Sequence, residues 1–144
     1  MTSSPSQPDP FALLSAREAA ALVDCTEADL QMRERDGELF SFRIDRRDSP
    51  LYMAFELMPP WAGSVMSRLL AAIGPTDGAS ALMFFCGVSD YLGGLCVAEI
   101  LVGRRSTSWR VDEGAAEVLE WPIEERVALA LKAAENFKAC TQGW

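Results

Sequence analysis

The chain has 144 residues, 49% of them hydrophobic and 24% charged, with 13 Lys and Arg against 21 Asp and Glu for a net charge of −8. That length supports one domain, or two small subdomains sharing a core, and should bury roughly two-thirds of the unfolded chain's surface, so neither metal nor disulfide is needed for stability. There is no histidine, which excludes Ser-His-Asp and Cys-His catalysis, His-ligated zinc or haem, and histidine pH switching.

No apolar run approaches the ~18 residues needed to cross a bilayer, and Met1 to Pro10 has no basic region followed by an apolar core, so no secretory signal is expected. The four cysteines, Cys25, Cys86, Cys96 and Cys140, form no C-x-x-C pair. Reduced thiols in a cytoplasmic protein are the expectation, most of them acting as small core residues. A net negative field repels phosphate backbones and favours basic partner surfaces.

Residues 1–10, rich in proline and serine, are expected to form a disordered tail, with order beginning near Phe11. Ser15-Ala16-Arg17-Glu18 has the form of a capping box and opens a helix running to about Val23. Thr26-Glu27-Ala28-Asp29 repeats the arrangement and opens a second helix to Asp36, where Gly37 can supply a left-handed cap. Two short helices at this spacing make a helix-turn-helix candidate. Alternation of Phe40, Phe42 and Ile44 predicts a strand over Glu38–Ile44, the polar stretch Asp45–Pro50 a turn, and Leu51–Leu57 a returning strand or extended segment.

Beyond Trp61 the pattern is helical. Val65, Met66, Leu69, Leu70 and Ile73 share a face of a helix stopped by Gly74-Pro75. A central helix is predicted over Gly78–Cys86, with Leu82-Met83-Phe84-Phe85 apolar almost all round, followed by a turn at Gly93-Gly94 and a short helix through Val97, Ile100 and Leu101 closed by Gly103. Arg104–Arg110 reads as a loop, and Val111–Glu120 as a short helix or irregular segment weakened by Gly114. The last helix begins near Pro122 and buries Ile123, Val127, Ala130, Ala134 and Phe137. The expected class is mainly α: an N-terminal helix-turn-helix with a small β-hairpin over residues 11–58, a helical unit over 61–103, and a loop and C-terminal helix over 104–144 whose role is open.

Several segments resemble a known family. Leu13-Leu14-Ser15-Ala16-Arg17-Glu18-Ala19-Ala20 resembles the "L-L-[ST]-x-x-E-A-A" opening of antitoxin-like helix-turn-helix units, and Gly37-Glu38-Leu39-Phe40 is similar to their exit from the second helix. Leu51–Leu57 resembles a "Y-P-A-F-Q-F" segment with Met53 in place of the proline, and Leu69–Gly74 fits the next helix. Phe84–Leu101 resembles "F-L-x-T-P-N-x-x-L-G-G-x-x-P-x-E-x-L", with Leu92-Gly93-Gly94 and Glu99-Ile100-Leu101 as its most specific part. The family is the Xre/MbcA/ParS-like antitoxins. The resemblance covers roughly residues 13–103; prolines expected around Val88 and Val97 are absent, and the tail beyond Gly103 is long for the family. It implies a C-terminal domain that binds a protein toxin, often a RES-type NAD-consuming enzyme, with operator binding by a homodimer as the usual accompaniment.

For DNA, the candidate residues are Gln31, Arg33 and Arg35 on the second helix with Arg46 and Arg47 at the hairpin tip. Arg33, Arg35, Arg43, Arg46 and Arg47 are balanced locally by Glu34, Asp36, Glu38, Asp45 and Asp48, five charges of each sign. DNA-binding proteins draw much of their affinity from an excess of Lys and Arg. For a protein partner, the candidate surface is Tyr91, Leu92, Gly93 and Gly94 with Arg104, Arg105 and Trp109, rich in the residue types that dominate binding hot spots. Catalysis is not expected. The carboxylates Asp24, Asp29, Asp36, Glu124 and Glu125 fall in no pocket-forming motif, Gly74–Gly78 lacks the lysine and spacing of a phosphate loop, and Cys86 or Cys96 would have no histidine base. No cofactor or metal is implied. The expected function is neutralisation of a cognate toxin by occlusion, and the alternative is an orphan sequence-specific DNA-binding regulator.

Overall fold

The computed structural model describes residues 8–45, 47–106, 111–112 and 114–142, without the side chains of Asp90 and residues 140–142. The fold is mainly helical, with a small antiparallel two-stranded β unit near the N-terminus. Strand β1 (Leu13–Ser15) runs directly into α1 (Ala16–Leu22), and α2 (Glu27–Arg35) follows after a short turn in which Asp24 adopts a positive φ.

Both helix starts follow from local chemistry. The Ser15 hydroxyl accepts the Glu18 N–H at 3.1 Å while the Glu18 carboxylate accepts the Ser15 N–H at 3.0 Å. Thr26 and Asp29 exchange the same two bonds at 3.1 Å each, so two otherwise orphan donors are satisfied at each start. These bonds hold the Glu18 and Asp29 carboxyls below their ordinary values, the backbone N–H being the larger cause in each case. At the far end of α2, Gly37 at φ 80° lets its own N–H reach the Glu34 carbonyl and the Glu38 N–H reach that of Arg33, the paired closure of a glycine-capped helix.

The strands pair differently from the sequence expectation. Strand β2 (Leu51–Met53) pairs with β1 in the register Leu13↔Met53, Leu14↔Tyr52, Ser15↔Leu51. Glu38–Ile44 is not a strand. Only Phe42 bridges to Leu51, each N–H donating to the other's carbonyl at 3.1 and 2.8 Å. The reason lies in Glu56, a fully buried carboxyl group whose two oxygens accept the Phe40 N–H at 2.8 Å and the Met53 N–H at 3.0 Å. A side chain therefore binds the Phe40 amide in place of a partner strand. Phe40 and Phe42 are buried as the alternation predicts, but Ile44 is 76% exposed because the bridge has already ended. Residues Ala54–Leu57 continue β2 as a 3₁₀ turn, not as strand.

Helices α3 (Ser64–Ile73), α4 (Gly78–Cys86), α5 (Val97–Val102) and α6 (Ile123–Gln142) build the rest, with 3₁₀ turns at Asp90–Leu92 and Ala115–Glu120. A single hydrophobic core runs from Leu14 to Ala134. Phe85 of α4 stacks on Phe40 with centroids 5.0 Å apart and meets Phe55 at 5.7 Å, while Phe84 meets Phe137 of α6 at 5.3 Å. Met83, just before them, faces solvent at 69% exposure, so α4 is not apolar-packed all round. Trp61 ties the stretch before α3 to α5, its indole N–H donating to the Leu101 carbonyl at 2.6 Å. Order also begins before Phe11: the Pro10 carbonyl accepts the Phe55 N–H at 2.9 Å, and Asp9 pairs with Arg104 at 2.8 Å. Residues 1–7 of the expected tail lie outside the described residues.

Among the described residues no single helix is long and apolar enough to cross a membrane. Helices α3 and α4, apolar as a pair, meet at a bend of 108° and turn Met66, Leu69, Phe84 and Phe85 into the core.

Candidate functional site: an aromatic-rimmed cleft

Of the residues proposed for DNA, Gln31, Arg33 and Arg35 lie on α2 and Arg47 in the polar stretch before β2. Gln31 and Arg35 are exposed, whereas Arg33 is half-buried and lies 3.9 Å from the Glu38 carboxylate. Arg47 is exposed, and Arg46 lies outside the described residues. The surroundings are acidic. A cleft of about 510 Å³ at the C-terminal end of α2 is lined by Glu34, Asp36 and Asp77 and by no Lys or Arg. One Glu34 oxygen is buried there without a hydrogen-bond partner. The nearby Tyr52 hydroxyl is pushed up to about 12, first by burial and then by the charges of Glu34 and Glu56. Among the described residues this cleft offers carboxylates and no basic side chain to a phosphate.

The partner-binding candidates divide. Tyr91, Leu92 and Gly93 line a second cleft of about 390 Å³, together with Ile100, Asp112, Ala115, Val118, Trp121 and Leu129. The turn that carries them exists because Gly93 and Gly94 both adopt positive φ, 69° and 96°, a conformation glycine enters without steric cost. Gly93 is required a second time: a Cβ there would stand 2.6 Å from the Ala115 Cβ. The Gly93 carbonyl accepts the Asp112 N–H at 2.8 Å, joining the turn to the wall opposite. Leu92 and Ile100 are buried at the base, while Tyr91 and Trp121 stand 52% and 42% exposed at the edge.

Arg126 fixes this geometry from behind. Its Nε donates to the Trp121 carbonyl at 2.8 Å, and its Nη1 donates to the carbonyls of Ile100 at 3.0 Å and Leu101 at 2.8 Å. A cation thereby meets the negative end of α5 and fastens the cleft's outer wall to it. Glu99 secures the other end of α5, accepting the Cys96 N–H at 2.9 Å and the Ser106 N–H at 2.8 Å.

Arg104 does not join the cleft. Its guanidinium pairs with Asp9 and lies 5.2 Å from the Phe11 ring centroid. Arg105 is exposed and is not among the cleft's lining, and Trp109 lies outside the described residues. Sequence reasoning missed Asp112 and Val118, which come from the segment left as helix or irregular, and Trp121, which directly follows it. Trp121, a large aromatic set immediately before the helix-starting Pro122, was the available cue.

Among the described residues no three His, Cys, Asp or Glu side chains come together to hold a metal ion. Of the described cysteines only Cys96 is a buried core residue, against the expectation that most would be; Cys25 is half-buried and Cys86 lies exposed at the end of α4. Desolvation still pushes the Cys86 thiol up to about 11, and burial the Cys96 thiol up to about 12, the Cys86 sulfur packing 3.4 Å from that of Met53. Neither carries an appreciable thiolate population at neutral pH. No family model, curated protein or solved structure matches the chain.

Proposed function

We propose that this is an antitoxin-like cytoplasmic protein that acts by binding and occluding a protein partner, with the cleft between the 90–94 turn and the 115–121 segment as the docking site. The observation that carries this reading is the presence of two exposed aromatic rings, Tyr91 and Trp121, on one cleft whose other lining includes the buried Leu92 and Ile100. Rigid aromatics around a pocket supply large contact area at small entropic cost. The net charge of −8 suits a basic partner, such as a toxin that handles phosphates or nucleotides, and RES-type enzymes are the partner class the family resemblance suggests.

The test is affinity capture of the tagged protein from its native host, with captured proteins identified by mass spectrometry and then co-expressed with it. A stoichiometric partner whose toxicity is relieved on co-expression is expected. Tyr91→Ala or Trp121→Ala should weaken that complex about thirtyfold, the effect of a ~2 kcal/mol hot spot. Recovery of the chain alone, or a complex indifferent to both substitutions, refutes the reading.

The two capped helices α1 and α2 sustain a second reading, operator binding by a homodimer through Gln31, Arg35 and Arg47. The acidic cleft at the end of α2 weighs against it. Loss of a gel-shift complex in Arg35→Ala with Arg47→Ala would establish it.

A further inference from the structure

The cleft's chemistry specifies what enters it, on the reading that it is a docking site. Its walls are aromatic and aliphatic, but one lining residue is charged. Asp112 Oδ2 lies 3.7 Å from the point a Cβ on Gly93 would occupy, so the carboxylate stands over the glycine turn. Among the described residues no basic side chain pairs with it. Arg126 is committed to three backbone carbonyls and Arg104 to Asp9. An apolar side chain seated here would strip water from Asp112 and replace it with nothing, which is unfavourable. A cation would complete the site.

We propose that the cleft receives an arginine side chain of the partner protein. The guanidinium meets the Asp112 carboxylate, the rings of Tyr91 and Trp121 border its plane, and the methylene stem lies on Leu92 and Val118. Arginine fits better than lysine because its planar, weakly hydrated head both stacks on aromatic faces and donates two parallel hydrogen bonds to a carboxylate. The acidity of the whole chain adds attraction of the same sign.

The probe is acetyl-Gly-Arg-Gly-amide, titrated into the full chain and followed by the NMR resonances of the Trp121 indole and the Tyr91 ring. Saturable shifts at both are expected, with much smaller ones from the citrulline peptide, which keeps the shape and loses the charge. Asp112→Asn should weaken the arginine peptide about tenfold, while Glu27→Gln, the same charge change on α2, should leave it unchanged; spectral dispersion confirms that each variant is folded. Equal response to citrulline, equal weakening by Glu27→Gln, or absence of shifts at both rings overturns the assignment. The two proposals separate cleanly. Cellular capture that depends on Tyr91 without arginine-peptide binding refutes the arginine assignment alone, whereas peptide binding without a captured partner refutes the docking function.

Discussion

Replacing Glu56 by Gln tests whether a buried carboxyl group substitutes for a missing β-ladder. The side chain is fully enclosed, and both oxygens accept backbone N–H groups, from Phe40 at 2.8 Å and Met53 at 3.0 Å. An amide of the same shape can accept only one of them. Its NH₂ then faces the other N–H, leaving two buried donors opposed, and each unsatisfied group costs about 1–3 kcal/mol. A loss of about 2–4 kcal/mol follows, a large share of the 5–15 kcal/mol typical of a domain. With m near 2 kcal/mol/M, the urea midpoint should fall by about 1–2 M. The pH dependence sharpens the test. Burial pushes the Glu56 carboxyl up to about 8 against the pull of its two N–H partners, from an ordinary value of 4.5. Between those pH values the folded chain holds a proton that the unfolded chain has released, so this group's contribution to stability is fully present below 4.5 and declines, by up to ~1.4 kcal/mol per pH unit, as pH rises through 8. Glutamine cannot titrate. Over the interval from 4.5 to about 8 that decline reaches ~5 kcal/mol, more than the variant loses, so in parallel urea titrations the gap between wild type and Glu56→Gln should close and then reverse between pH 5 and pH 9. A variant as stable as wild type at pH 5, or a gap that does not change with pH, would refute the assigned role.

Two further substitutions probe the cleft's construction. Arg126→Met removes three hydrogen bonds to the carbonyls of Ile100, Leu101 and Trp121 while keeping most of the apolar stem; about 2–4 kcal/mol of stability should be lost, with faster hydrogen exchange in residues 115–121, and unchanged exchange there would show that the arginine does not hold that wall. Gly93→Ala places a methyl 2.6 Å from the Ala115 Cβ on a backbone at φ 69°, so a cost of about 1–3 kcal/mol in thermal unfolding is expected together with displaced Tyr91 and Trp121 resonances, and a neutral result would mean that the turn and the 3₁₀ segment are not in contact.

How much was legible in the sequence depended on the range of the interaction. The starts of α1 and α2 were readable because each capping box is closed within four residues, Ser15 with Glu18 and Thr26 with Asp29. The bounds of α4 and the left-handed Gly103 that ends α5 were readable for the same reason. Strand β1 was not, since Leu13–Ser15 becomes a strand only through Met53, Tyr52 and Leu51, far along the chain. Phe40 and Phe42 alternate like a strand, yet the Phe40 amide is bound by Glu56, and no local pattern announces that a glutamate in an apolar run will serve the backbone. The cleft divides in the same way: Tyr91–Gly93 stood out as a turn with an aromatic, whereas Asp112 and Trp121 reach it only by tertiary packing.

The same distinction determines what the family resemblance can mean. Its most specific block, Leu92-Gly93-Gly94 through Glu99-Ile100-Leu101, is accounted for almost entirely by architecture. Leu92, Ile100 and Leu101 are buried, the two glycines occupy positive φ, and Glu99 caps α5 while holding the Ser106 amide. Each identity is fixed by the fold before any partner is considered, so likeness in this block argues for a shared way of building a turn onto a helix. If the cleft docks a partner, the side chains there that the fold leaves exposed are Tyr91, Asp112 and Trp121. None of the three belongs to the fold-determining part of the block, and two lie beyond the span of the resemblance. On the docking reading, a partner would thus be selected by these three side chains, on a scaffold whose own requirements are already met.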